Sequence, residues 1–516
     1  MRRWNEIRDE TMKSIIRNDH DGGASRILPM TRGLRTSLAC AALVGLGACA
    51  VIPPERHVTP QQDVAGAQLA TDIHLAREGW PQARWWTAYG DVQLEQLIDA
   101  ALKDSPTLES AAARIGAAQA ALVQNQAARD IGVNFQAAAN RQRYSANGLF
   151  PSPIGGSTYT EETLGIQARY DFDWWGRNRA RIAAAAGEAN ARRADYAQAE
   201  LILAAAIAQS YFRLQGDWAL AVDLRRMEAL QRDMIKDTVR RIERGLAIID
   251  EQRTDETRLS ELQRQIAQID ADAVREREGL RALLGAGSDA LRDLRPHPAA
   301  TTAAPLPRRL GLELLARRPD LQAARWRVQA ALSRVELAET AFYPDINLTG
   351  SFGLDSISIS NLLSAGSRTF YLGPTLSLPL FNGKSLQGQL GQARSARNEV
   401  IADYNQSVFD AVREVAQAGA EIQGLDTELG RQDDAVRSSN AVLKSVQARL
   451  KQGLTDHGAL LRAEMTSLNQ ADVIVQLRTR RQLAEVALMK ALGGGYHANQ
   501  EGRNIDGAKV SVTKQP

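Results

Sequence analysis

Two hydrophobic periods alternate along the chain. In TLGIQARYDFDWWG (163–176), Leu164, Ile166, Ala168, Tyr170, Phe172 and Trp174 alternate with Thr163, Gly165, Gln167, Arg169, Asp171 and Asp173. A period of two predicts a strand with one apolar and one polar face. Its partner is expected at 131–145, where Ile131, Val133 and Phe135 alternate, and a second pair at Ile346, Leu348, Phe352 and at Phe370, Leu372, Leu376, Leu378, Leu380. After each pair the pattern becomes helical and long. No proline lies between Ile154 and Arg295, or between Leu380 and Gln515. Proline costs about 3 kcal/mol inside a helix, so each stretch is expected to hold a long helical hairpin. Gly245 in RRIERGLAIID and Gly453 in ARLKQGLTDHG interrupt the two patterns, each suited to the positive backbone angle at a helix C-terminus.

The halves match in their smaller parts. Ser105-Pro106-Thr107-Leu108 opens a helical pattern with Ser105 as expected N-cap and Pro106 at the first helical position. Arg318-Pro319-Asp320-Leu321 does the same in the second half. Each half reads helix, strand, loop, strand, very long helix, turn, long helix, so the chain is an internal duplication. The expected divisions are an extension and signal at 1–48, an extended segment at 49–84, a first repeat at 85–296, a linker HPAATTAAPLPRR at 297–309, a second repeat at 310–495 and a polar tail at 496–516.

Length then constrains the architecture. A helix of about 70 residues is about 100 Å long, more than one globular core needs. Its apolar positions are mostly alanine, and Arg, Gln and Glu keep the other faces wet, which favours coiled packing around something hydrated. The strands suit either a water-filled membrane barrel or a half-buried soluble sheet. In lipid, four strands cannot close a barrel, since the smallest have eight, and open edges would leave backbone groups unpaired. The chain must then oligomerise. Two copies supply eight strands and three supply twelve, and only the larger barrel leaves a lumen.

Composition adds exclusions. Among 516 residues the charged fraction is 24% and the net charge +3, so no single-sign field points to nucleic acid. There is no HExxH, GxSxG or Walker loop, and neither enzyme activity nor a cofactor nor a metal is expected. The two cysteines lie in LACAALVGLGACAV (38–51). Arg32 and Arg35 precede the apolar run from Leu38 to Ala48, too short to span a bilayer but suited to a secretory signal, with Met30 as the expected start. Leu46-Gly47-Ala48-Cys49 resembles the bacterial lipobox, which makes Cys49 the expected site of a covalent lipid. Ala50, where aspartate would imply retention, implies sorting to the outer membrane. A periplasmic adaptor lipoprotein is the alternative, but it carries one hairpin rather than a duplicated pair.

These features, with YDFDWWGRNR (170–179), LARRPDLQAAR (315–325), FYPDINLTGSFG (342–353), LSLPLFNG (376–383) and LMKALGGG (488–495), resemble the TolC-like outer membrane efflux proteins. The lipobox and WPQARWWTAYGD (80–91) resemble their NodT lipoprotein branch, and DIHLAREGWPQARWW (72–86), RQRYSANG (141–148) and ALGGGYH (491–497) its MdtP-type multidrug resistance subgroup. The resemblance implies a mainly α fold with a small β-barrel part: duplicated strand and helical hairpins forming a trimeric 12-stranded transmembrane barrel on a long periplasmic α-helical tunnel. It implies a homotrimer in outer membrane lipids that works with a periplasmic adaptor and an inner-membrane pump as a passive exit duct. The turns at Gly245 and Gly453 would form the periplasmic aperture, with Asp250, Asp456, His457 and Arg462 nearby. Better-known members place two acids three residues apart after the second turn. Here those positions read Ala459 and Arg462, so a ring of Arg462 favours anions, or Arg462 pairs with Asp456 or Glu464, or it is simply a solvated helix residue. Gln167, Arg169, Asp171 and Asp173 would line the barrel lumen, Trp174, Trp175, Tyr343 and Phe381 flank it, and His457 beside Asp456 is either a pH switch or an exposed turn residue.

Overall fold

The computed structural model describes residues 52–55, 57–63, 82–297, 317–379 and 382–496. Cys49, most of the extended segment, the linker after His297, the tail after Tyr496, Leu380 and Phe381 lie outside them. A short 3-10 turn at Trp85–Tyr89 leads into α1 (Val92–Asp104) and α2 (Pro106–Gln126). Strands β1 (Gly132–Arg143) and β2 (Thr158–Asp171) follow, then α3 (Arg177–Glu243) and α4 (Ile249–Leu284). The second half repeats this order with α5 (Pro319–Thr340), β3 (Asp345–Ser356), β4 (Arg368–Ser377), α6 (Gly383–Lys451) and α7 (His457–Ala491). The duplication holds in length too, with 67 and 69 residues in α3 and α6, and 36 and 35 in α4 and α7.

Both hairpin turns are built as their glycines dictate. Gly245 and Gly453 each have φ +71°. Gly245 N donates to Ile242 O and Leu246 N to Arg241 O, and Gly453 N to Leu450 O and Leu454 N to Arg449 O. This double bond pattern satisfies the last helical carbonyls with a left-handed residue that only glycine adopts cheaply. Ser105 departs from expectation. It occupies the N-cap position of α2, yet its side chain makes no capping bond; the Leu108 N–H that it would cap donates instead to Ser105 O.

One large core forms where the long helices cross α1. Leu94 and Ile98 of α1, Ile207 and Tyr211 of α3, Val408 of α6 and Leu488 of α7 are among its buried members. Each fully buried Leu or Ile contributes about 1.5–3 kcal/mol relative to exposure. Asp91 pins this core: its carboxylate caps α1 at Gln93 N and Leu94 N and accepts from Tyr211 Oη at 2.5 Å. Burial first, and the Asp91 charge after it, raise the Tyr211 phenol well above its usual range. Toward the glycine turns the burial thins, and most helix positions are exposed.

The four strands make one antiparallel sheet in the order β1-β2-β3-β4. The period-two readings place all four correctly but not their ends. β2 starts at Thr158 and stops at Asp171, and β4 stops at Ser377, so Trp174 and Leu378 lie beyond the paired residues. Among the described residues no helix is long and apolar enough to cross a membrane.

Candidate functional site

The sheet has an apolar face that nothing among the described residues covers. Cross-strand register sets Phe135 opposite Ile166, Ile166 opposite Phe352 and Phe352 opposite Phe370, a continuous row over all four strands. These side chains are 67%, 50%, 60% and 86% exposed, the reverse of a soluble sheet's buried face. The next rung toward the helices repeats it with Val133, Ala168, Gly350 and Leu372. Both outer strands, β1 and β4, have one edge without a partner strand. Their lengths of 10–14 residues meet the roughly 9–11 that a tilted membrane strand needs.

The opposite face is polar. Gln167 lies in a rung with Asn134, Ser351 and Tyr371. Arg169 Nε donates to Asp171 Oδ1 at 2.8 Å. Asn347, with its amide oriented to suit both neighbours, bridges them, at 2.6 Å to Asp171 and 2.8 Å from Arg169. Gln167, Arg169 and Asp171 therefore share one face, as the alternation requires. Asp173 has a further role. It lies past the end of β2, and its carboxylate accepts from Asn178 N and Arg179 N at 2.8 and 3.0 Å, capping α3, whose N-cap residue Gly176 has no side chain to do so. A cavity of about 850 Å³ opens under this face, bordered by Arg169, Asp173, Arg177 and Asp345. Beside it Trp175 stacks on Tyr343 with centroids 4.8 Å apart and donates Nε1–H to Pro344 O. Trp175 is thus a junction residue that joins the two halves of the chain.

At the other end, the hairpin tips bring most of the predicted residues together. Asp456 caps α7 by accepting from Ala459 N at 2.7 Å, and it lies 3.8 Å from Arg462. The Arg462 side chain is 58% exposed, so it remains largely solvated beside Asp456. His457 begins α7 and is exposed. Asp250 sits in the exposed first turn of α4, where a carboxylate complements the helix dipole. Two acids absent from the sequence reading also belong here. Asp237 of α3 reaches α7, since a Cβ on Gly458 would lie 3.3 Å from its Oδ2. Asp233 is held below the usual carboxylate range by its bond to Lys236, with the His457 charge contributing. Asp223, Glu228, Asp233 and Asp237, four or five residues apart on α3, were the available signal.

A further feature had no sequence signal. Residues 52–55 and 57–63 lie along α6. Asn398 and Asn405, two turns apart, each hold this strap by its backbone: Thr59 N and His57 O on Asn398, Gln62 N and Pro60 O on Asn405. Arg397 binds Glu55, and that bond lowers the Glu55 pKa. Ile52 packs at the sheet-proximal end of the helices with Val335, Phe342 and Leu390.

Comparisons with known proteins agree with this geometry. The family described as OEP, outer membrane efflux protein, matches residues 97–286 and 310–494. The multidrug resistance outer membrane protein MdtP of Escherichia coli K12 is 36% identical over 485 residues, covering 91% of this chain and 98% of that protein. The outer membrane protein VceC of Vibrio cholerae has a similar structure, with TM-score 0.74 and 30% identity over 81% of this chain and 100% of its own. The outer-membrane channel OprN aligns with TM-score 0.75 and 26% identity, covering 87% and 99%.

Proposed function

The chain belongs to the outer membrane efflux protein family, and on that premise we propose that it works as the passive outer membrane duct of a tripartite drug and small-molecule efflux system. The observation that carries this reading is the exposed apolar row Phe135–Ile166–Phe352–Phe370 on a sheet with two open edges. Lipid covers the apolar face, and neighbouring copies pair the edges. Three copies give a 12-stranded barrel with the Gln167, Arg169 and Asp171 face lining the lumen. The hairpins, each about 100 Å long, continue that lumen across the periplasm. The Gly245 and Gly453 turns form its inner aperture and meet a periplasmic adaptor fed by an inner-membrane pump. The chain catalyses no reaction, and the pump supplies the energy.

Cys49 carries the lipid. Three residues beyond it, Ile52 docks beside Phe342, just before β3. At about 3.3 Å per residue, Cys49 reaches within roughly 10 Å of that point, so the anchor enters the inner leaflet beside the barrel wall. Purified full-length protein in a planar bilayer tests the reading together with its mass in detergent. A trimer with stepwise conductance is expected. A monomer recovered from the periplasmic fraction, with no conductance, overturns it.

A further inference from the structure

The first hairpin meets the second along α3 and α7, and the contact has a regular register. A Cβ at Gly216 would fall 2.5 Å from Thr479 Oγ1, so these residues touch. Seven residues further along α3, Asp223 faces Asp472 of α7, which is itself seven residues back from Thr479. Two more heptads bring Asp237 to Gly458 at the tip. The seam is therefore an antiparallel coiled-coil contact with a carboxylate facing a carboxylate in one of its layers. Asp472 is 9% exposed, and its Oδ1 is enclosed with no hydrogen-bond partner among the described residues. Leu224 and Met227 of α3 and Ile474 and Leu477 of α7 are buried around this layer.

We infer that the Asp223–Asp472 layer is a proton-controlled latch between the two hairpins: one proton on Asp472 lets the seam close, and its loss drives the hairpins apart. The cause is elementary. An enclosed, unpaired carboxylate facing a second carboxylate disfavours its own charged form. Burial first and the Asp223 charge second push the Asp472 carboxyl up to about 6. The surrounding charges do not offset this. Asp223 is held at 3.2 Å by the exposed Arg226 of its own helix. On α6, which flanks α7, Gln432 binds the backbone and side chain of Gln470. Arg431, Asp433 and Asp434 of that stretch are exposed, and Asp434 is engaged by Arg437. Protonated, Asp472 offers an O–H to the Asp223 carboxylate and the layer becomes a hydrogen-bonded pair.

The sign follows from the direction of the shift. A carboxyl raised in the closed seam binds its proton more tightly there, so acid favours closure. That contribution is complete below about pH 4 and is lost as the pH rises through about 6. With the separated carboxyl near its ordinary value, the closed-to-separated ratio falls by about fiftyfold between pH 4 and pH 7. The consequence for an open aperture rests on the channel reading, whereas the seam itself does not.

The two are tested separately on the full-length oligomer. Spin labels at Val222→Cys and Val473→Cys, both partly exposed positions flanking the layer, report the α3–α7 distance in detergent from pH 5 to pH 8. A distance that lengthens with a midpoint near pH 6 is expected, and Asp472→Asn should hold the short distance throughout. Asp223→Asn, which keeps Asp472 titratable, should move the midpoint down. A distance independent of pH in the otherwise unaltered chain, or an Asp472→Asn chain that still responds, overturns the latch. Bilayer conductance over the same range reads the aperture. Absence of any channel alongside a pH-dependent distance refutes the duct and leaves the latch standing.

Discussion

Adjacent residues of β3 give the sharpest test of which face of the sheet meets lipid. Phe352 lies in the apolar row, between Ile166 and Phe370, and is 60% exposed. Ser351, its neighbour, points to the other face in a rung with Gln167 and Tyr371. An arginine on the lipid face of a barrel strand near the bilayer midplane costs about 2–4 kcal/mol. In a trimer Phe352→Arg carries that cost three times, about 6–12 kcal/mol per assembly. Per chain, this shifts the folded-to-unfolded ratio about 30- to 1000-fold. Ser351→Arg puts the same charge into water and should cost within about 0.5 kcal/mol, as surface changes do. The assay is refolding into phosphatidylcholine vesicles across a urea series, scored by the gel mobility of heated and unheated samples. Phe352→Arg should fold only at much lower urea, and Ser351→Arg should track the unaltered chain. Equal losses, or a larger loss for Ser351→Arg, would refute the assignment of faces and with it the barrel.

Three more outcomes follow from the tips and the anchor. Gly453→Ala places a Cβ on a residue at φ +71° and should cost about 1–2 kcal/mol, read as a lower unfolding midpoint; an unchanged midpoint means the turn can rearrange. Arg462→Asp removes the cation beside Asp456 and should move single-channel reversal potentials toward cation selectivity. No movement would show that Arg462 stands clear of the ion path. Cys49→Ser should slow sorting and assembly yet leave the protein in the outer membrane fraction, because the barrel holds it there. Recovery of the variant as a soluble periplasmic protein argues against the barrel.

The local code was strong enough to reveal the element plan. Proline-free stretches, paired glycines and period-two alternation identify two helical hairpins and four strands, since these signals act over a few residues and need no partner. They also identify Gly245, Gly453 and the shared face of Gln167, Arg169 and Asp171. Element ends were less legible. The alternation runs on through Asp173 and Trp174, but the backbone turns after Asp171 because Asp173 supplies the cap that Gly176 cannot. Long-range partners left no trace in the chain. Asn398 and Asn405 read as ordinary helix residues until residues 57–63 lie along them. Arg462 had several possible partners until the cap of α7 fixed Asp456 beside it.

Asp223 and Asp472 show the same division most clearly. Each alone reads as a solvated acid on a long wet helix. Only the packing of α3 on α7 brings them face to face and removes the water from one of them. The sequence by itself determined the elements, their duplication and the two faces of the sheet, because periodicity and turn chemistry are local. The tertiary structure decided which polar groups are enclosed and which charges meet, because burial and pairing belong to the packed helices and not to any segment alone.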